Sequence, residues 1–487
     1  MSKWMKLLAA LFAVSLIAAA CGSDAADTVS DVASDDLDAA QSARDDALAA
    51  AEAAQAEAEA AKAEADEAKA ALDAAGSDDG GPAPREFEGE VVRISGPERS
   101  AEEWNALEAG MVPFEEATGA EVIYTGSADW EAEINVQLAA GNPPDISSFP
   151  QPGKLADFAR QGFLEPLRPE VLEATQAEWA QSHIDFALVD GEFYGVPVKT
   201  DLKSIVWHKP AVFDANGYEH PGTWDELKEL TNTMIADGIT PWCVGIESGQ
   251  ATGWTFTDWT EDLMLRFHGG EAYDQWVSND LKFASDEVNQ VMQEIIDLWS
   301  IDGAVFGGIE SISSSHFASK PAEDLIADNC AMVRQASFFS GFLPEGTSDQ
   351  ISTFYFPAVD PATAPVLVAG QHAAAFNDRD VVSAVLEHMG SSSYVNARQT
   401  FQREAKGGGL SGFNTANTAA DRSLWADLEG QFIEVMQNAE VARFDGSDLM
   451  PADVGAGEFW TQATAIVNGE IDVAGGTAKI DEAWPSE

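Results

Sequence analysis

Between Glu90 and Gly153 the chain alternates strand-like and helix-like stretches, and glycine or proline marks most of the changes. "EVVRIS" (Glu90 to Ser95) reads as a strand ended by Gly96-Pro97. "SAEEWNALEAGMVPFEEATG" follows as a helix, with Ser100 and Glu103 spaced for a capping box and Gly119 as its stop. "AEVIYTGS" is a second strand, "DWEAEINVQLAAG" a second helix and "DISSF" a third strand. Strands that alternate with helices at this spacing build βαβ units and a mostly parallel sheet. The fold class expected is α/β.

The third strand is fenced by prolines. In "GNPPDISSFPQPG" (Gly141 to Gly153), Pro143 and Pro144 donate no backbone hydrogen bond, and Pro150 and Pro152 end the strand abruptly. Ligands of open α/β sheets sit beyond the carboxyl ends of the strands. Gln151, the one amide in this rigid exit loop, is therefore a candidate ligand contact.

With 487 residues the chain is long enough for two lobes plus appendages. Its 26 Lys and Arg face 83 Asp and Glu, a formal net charge of −57, which leaves no basic footprint for a nucleic acid. Such acidity favours solubility and repulsion from anionic membranes; adaptation to high salt is a second reading. The seven His show no metal-ligand spacing, and neither a phosphate-binding loop nor a Gly-x-Ser-x-Gly elbow occurs. No metal and no cofactor is expected.

"MSKWMKLLAALFAVSLIAAACGSD" carries Lys3 and Lys6, an apolar run from Leu7 to Ala20, and then Cys21. The run suits a secretory signal rather than a membrane span. Ala18-Ala19-Ala20-Cys21 resembles a bacterial lipobox, with Ala18 where the pattern usually has Leu. This implies a lipoprotein signal peptide over 1–20 and a lipidated Cys21; the alternative is ordinary cleavage with a free thiol. From 24 to 84 the composition turns to Ala and Glu, as in "ALAAAEAAQAEAEAAKAEADEAKAALDAA", followed by the breaker "GSDDGGPAPRE". Residues 21–84 read as an anchored stalk, either a helix able to self-associate or a disordered acidic tether. Either form holds the folded part away from the membrane.

A resemblance then becomes specific. "VPFEEATGAEVIYTGSADWEAEINVQLAAGNPPDISSFPQPGKLADFARQGFLEPL" resembles the first lobe of the extracellular sugar-binding proteins of bacterial ABC importers (solute-binding protein family 1), nearest to the alpha-glucoside-binding subgroup. The likeness continues through "YGVPVKTDLKSIVWHKPAVFDANGY", "PWCVGIESGQATGWTFTDWTEDLML", "CAMVRQASFF" and "RFDGSDLMPADVGAGEFW", covering about Phe87 to Trp484. It implies a two-lobed periplasmic-binding-protein type II fold over 85–487 that traps a small sugar between its lobes. It also implies partnership with membrane permease subunits, ATP hydrolysis by another subunit, and a place on the outer face of the cytoplasmic membrane. The binding domain is expected to be monomeric. Crossings are expected at "GVPVKTDLKSIVW", "FYFPAVDPATAPVLVAG" and "KGGGLSG". They divide the domain into lobe one (about 87–198 and 360–408) and lobe two (about 202–357 and 410–487).

Sugars need aromatic platforms for their C–H faces and planar polar groups for their hydroxyls. Tyr is scarce at six whereas Trp reaches fourteen. Trp254, set in "ESGQATGWTFTDW" among Gly, Thr and Asp, is the leading stacking residue, with core packing as the alternative; Trp259 reads as core. Arg334 and Gln335, just past the strand "CAMV", offer a guanidinium fork and an amide, or a surface salt bridge in the case of Arg334. Asp129 and Trp130 open a helix, where Asp129 is a ligand acceptor or an N-cap. Lys199 and Asp201 face the cleft or form an interlobe ion pair. Asp258 and Asp448 are further acceptors; Asp448 resembles a ligand-loop position of the family, with a turn-forming Asp as the other reading.

Of the three Cys, Cys243 and Cys330 remain beside Cys21 as an even pair in an oxidising compartment, so a disulfide is expected, with two buried thiols as the alternative. Two rival classes stand against the importer component. A secreted glycoside hydrolase would need two positioned carboxyls. A stalked carbohydrate adhesin would share the anchor and have no closing cleft.

Overall fold

The computed structural model describes residues 85–360 and 362–485. Cys21, the signal segment and the alanine-rich stretch lie outside the described residues. The expected opening holds. Strands β1 (Val91–Gly96), β2 (Glu121–Gly126) and β3 (Ile146–Phe149) are parallel, with Ile94 opposite both Tyr124 and Ile146. The helices Ala101–Thr118 and Trp130–Ala139 connect them. Ser100 and Glu103 form the reciprocal capping box, and Gly119 closes the first helix in the left-handed region at φ 80°.

After a small hairpin of β4 (Leu188–Val189) and β5 (Glu192–Phe193), the chain enters β6 (Gly195–Leu202) and then β7 (Ile205–His208). Strands β8 (Met332–Arg334) and β9 (Ser352–Tyr355) flank β7 in an antiparallel three-stranded sheet. Strand β10 (Val366–Ala375) returns to the first sheet, and β11 (Ala442–Phe444) joins it later. One edge of β10 pairs with β6 over most of its length; the other pairs with β3 through His372–Ala375 and with β11 through Val366–Val368. The buried ribbon β6–β10 belongs to the six-stranded sheet, and the chain passes from β6 to β7 of the three-stranded sheet and returns from its β9 to β10.

The first crossing differs in detail from expectation. Lys199-Thr200-Asp201 is strand, because β10 holds β6 as far as Leu202, and the link between the sheets shrinks to Lys203-Ser204. The return runs from β9 to β10 through residues 356–365, as the prolines suggest. Beyond Lys406–Gly412 the chain does not pass wholly to the second lobe, since β11 completes the first sheet. Residues 446–482 then pack against the helices Trp254–Val277 and Asp286–Trp299 of the second lobe.

Val92, Ile94, Tyr124 and Ile146 belong to the core around β1–β3. Trp242, Trp259, Trp276 and Trp299 belong to the second core, where Trp259 meets Trp242, Trp299 and Phe356 edge-on, as read for a core residue. A disulfide joins Cys243 to Cys330 with 5.6 Å between Cα atoms, closing an 87-residue separation. Among the described residues no helix is long and apolar enough to cross a membrane.

Candidate functional site

The three parallel strands β1, β2 and β3 end on one side, and the chain beyond their carboxyl ends meets β6, β10 and the second lobe around a cavity of about 480 Å³. That is ample for a small ligand, since such sites span roughly 300–1,000 Å³. Strand alternation puts Lys199 and Asp201 on the same wall, and Lys203, just past the end of β6, joins them there. Gln151 enters from the exit of β3, Trp254 from the second lobe, and Asp445, Asp448 and Trp460 from the last segment.

Two glycines fix this meeting. Gly253 precedes Trp254 with φ at 114°, and a Cβ there would lie 2.3 Å from the Trp460 carbonyl oxygen. A Cβ at Gly153 would lie 1.9 Å from the Met450 carbonyl oxygen, so the helix that follows Gln151 docks directly on the Asp448 segment.

Trp254 is half-buried and tilted against Phe317 at 5.0 Å and Phe338 at 6.0 Å between ring centres. The Lys203 ammonium lies 5.1 Å from its ring centre. Lys199 pairs with Asp201 at 3.3 Å and stands 5.1 Å from the Phe338 ring, so this ion pair lies within one strand rather than between lobes. Gln151 is only 4% exposed; its Nε2 donates weakly to Glu131 Oε1 at 3.5 Å, and its Oε1 has no partner. Burial raises the Glu131 pKa, which favours the protonated acid beside this amide.

Behind this wall lies a buried charge network. Lys203 bonds Asp258 Oδ1 at 2.6 Å and also Asp445. Arg334 donates to Asp258 Oδ2 at 3.2 Å and to Asp262 Oδ2 at 2.8 Å, while Arg266 grips Asp262 and the Phe356 carbonyl. Glu261 accepts from the Ser447 N–H at 2.9 Å, leaving Oε2 without a partner. Three cations (Lys203, Arg266, Arg334) thus face five carboxylates (Asp258, Glu261, Asp262, Asp445, Asp448).

The titrations follow from that excess. Burial pushes Asp258 up to about 7 against the pull of Lys203. Burial, then Asp445, drives Glu261 and Asp448 well upward, favouring their neutral acids. Burial opposes the charges of Asp445 and Lys203, but ion pairing wins: Lys203 lowers the pKa of Asp445, while Asp258 and then Asp445 raise that of Lys203. Asp258, Glu261 and Asp445 approach closely enough to hold a cation, and Lys203 already places its ammonium against two of them.

Of the residues singled out in the sequence, Gln151, Lys199, Asp201, Trp254 and Asp448 line the cavity. Asp258, Arg334 and Gln335 do not. Arg334 makes an ion pair, but a buried one with Asp258 and Asp262 rather than one at the surface. Gln335 turns its amide to the Phe317 carbonyl and to the N–H of Ala336. Trp130 is buried, its indole N–H reaching Ser147 Oγ at 3.0 Å, and Asp129 is exposed at the N-cap without a side-chain cap bond. The sequence reading passed over Lys203, Glu131, Asp445 and the Phe317–Phe338 pair. Lys203 stands two residues beyond Asp201, as Asp201 does beyond Lys199, a spacing available in the sequence.

Residues 98–304 match the family described as bacterial extracellular solute-binding protein. The osmoprotective compounds-binding protein GgtB of Synechocystis is 38% identical over 79% of this chain and 90% of its own. The alpha-glucosides-binding periplasmic protein AglE of Rhizobium meliloti is 36% identical over 82% of this chain and 88% of its own. The chain belongs to the bacterial extracellular solute-binding proteins, the binding-protein class of ABC importers. A solved chitin oligosaccharide binding protein shares the two-lobed fold, with a TM-score of 0.65 and 18% identity over 80% of this chain and 97% of its own. So does a maltose-bound MalE3 of T. maritima, with a TM-score of 0.63 and 16% identity over 80% and 98%.

Proposed function

We propose that the protein captures an alpha-glucoside or a similar small glycoside outside the membrane and delivers it to the permease of an ABC importer. The observation that carries this reading is the convergence of Trp254, Gln151 and Asp448 on one cavity of about 480 Å³. An indole face suits the C–H face of a pyranose, while amide, carboxyl and ammonium groups suit its hydroxyls. The likeness to AglE supports an alpha-glucoside. Trp254 is the stacking platform; Gln151, Lys199, Asp201 and Asp448 hydrogen-bond the ligand, joined by Lys203 and Asp445. Lobe one supplies Gln151 and lobe two Trp254, so the closed form alone makes both contacts. Asp258 and Arg334 act by holding Lys203 and the wall in place.

Cys21 anchors the protein by lipid, and residues 22–84 act as the spacer, which leaves the binding domain free at the outer face of the membrane. Calorimetric titration of the exported protein with maltose, trehalose and sucrose, followed by sugar analysis, tests the function. Saturable binding with the sugar recovered intact supports it. Hydrolysis would favour a glycoside hydrolase, and no binding to any of the three would remove the alpha-glucoside reading.

A further inference from the structure

We propose that the second lobe carries a two-histidine site for one divalent transition-metal ion, formed by His208 and His220. The site stands apart from the ligand cavity, whose lining includes neither residue, and it does not rest on the proposed function. The two Nε2 atoms lie 3.0 Å apart. Two imidazole nitrogens bound to one ion at roughly 2.0–2.1 Å stand about 2.9 Å apart at a right angle and about 3.3 Å at a tetrahedral one. The ring centres are only 4.6 Å apart, with planes at 86°, so the rings meet bent rather than end to end, as two ligands meet one ion. The pair is separated by 12 residues in the chain, so no local ligand spacing announces it.

The fold prepares both rings. His208 ends β7, paired with Met332 and Ser352 on the flanking strands, and packs against the Phe213 ring at 4.5 Å. His220 stacks on Phe354 at 4.9 Å. Its loop is tied at both ends: the Tyr218 N–H donates to the Phe213 carbonyl at 3.0 Å, and the Trp224 N–H to the Ala358 carbonyl at 3.0 Å. Ligation therefore needs little reordering. Burial lowers the pKa of both rings, that of His208 to about 4, so each is neutral at pH 7 and able to ligate. In the pair as it stands, one Nε2–H donates to the other Nε2. The ion takes the place of that proton, which moves to Nδ1 of the same ring. His208 is buried and His220 exposed, which gives the ion its entry. Among the described residues no third His, Cys, Asp or Glu closes on the pair, which leaves the other positions to water. Two imidazoles with water favour Cu(II) over Ni(II) and Zn(II).

Calorimetric titration of the full exported protein, untagged and stripped with a chelator, with Cu(II), Ni(II) and Zn(II) salts tests the site. One Cu(II) per chain should bind, more tightly than Ni(II) or Zn(II), and its paramagnetic resonance spectrum should show coupling to imidazole nitrogen. His220→Ala and His220→Gln should each weaken Cu(II) binding at least tenfold and remove that coupling. The Gln variant keeps a hydrogen-bonding group beside His208, so it separates loss of a ligand from loss of packing; thermal melts establish that both variants fold. Cu(II) binding unchanged in the folded variants would overturn the site. So would a parent protein that binds no stoichiometric Cu(II), or binds it without nitrogen coupling, and His208 and His220 would then be a hydrogen-bonded pair only.

Discussion

The Lys203 ammonium lies 5.1 Å from the centre of the Trp254 ring, and the same nitrogen bonds Asp258 at 2.6 Å. The two-residue link between the sheets is thereby tied both to the aromatic platform of the cleft and to the charge network behind it. Lys203 therefore belongs both to the link between the sheets and to the cavity wall.

Trp254→Ala should weaken sugar binding by about tenfold to a hundredfold, since a buried aromatic surface is worth roughly 1–3 kcal/mol. Gln151→Ala should cost about 1 kcal/mol, that of a typical net hydrogen bond. Calorimetry with the best glucoside, beside thermal melts, measures both. Unchanged affinity in the two folded variants would move the cleft elsewhere.

Lys203→Met should destabilise the fold by about 3–5 kcal/mol, because it strands the buried Asp445 without a cation and leaves Asp258 with Arg334 alone. Urea unfolding reads the loss. A midpoint equal to that of the parent would mean that the network does not stabilise the fold.

Glu261→Gln should stabilise the protein at pH 8. The pKa of Glu261 is raised in the folded state, so folding favours its proton, and this acid costs stability as pH rises above its unfolded value of about 4.3. Gln mimics the protonated form and supplies an amide N–H₂ in place of the unpartnered Oε2. The expected gain is on the order of 1–3 kcal/mol at pH 8, vanishing as pH falls below about 4. Paired urea titrations at pH 8 and pH 4 measure it. A gain at the lower pH alone would reverse the sign of the argument.

Reduction of the Cys243–Cys330 bridge should cost about 2–5 kcal/mol, as it frees an 87-residue separation in the unfolded chain. Melts with and without reductant under matched conditions check this; alkylation of two thiols in the denatured, unreduced exported protein would contradict the bridge itself.

Local signals carried well from sequence to structure. The Ser100 capping box, the Gly119 stop and the proline-fenced β3 depend on neighbours within a few residues. Trp254 and Gln151 were legible because breakers set them outside hydrophobic runs. Asp258 and Arg334 were not, since their partnership spans 76 residues and becomes visible only when the Trp254–Val277 helix packs beside β8. The aromatic wall of Phe317 and Phe338 was hidden for the same reason: neither residue's neighbours in the chain show that both rings pack against Trp254.

Hydrogen exchange of the exported protein with and without its tightest glucoside tests the central claim most directly. Ligand should slow exchange together in 97–100, 150–154, 248–256 and 445–449, the segments that meet at the cavity from both lobes. Protection confined to one lobe, or lying outside these segments, would contradict a shared cleft built on Gln151 and Trp254.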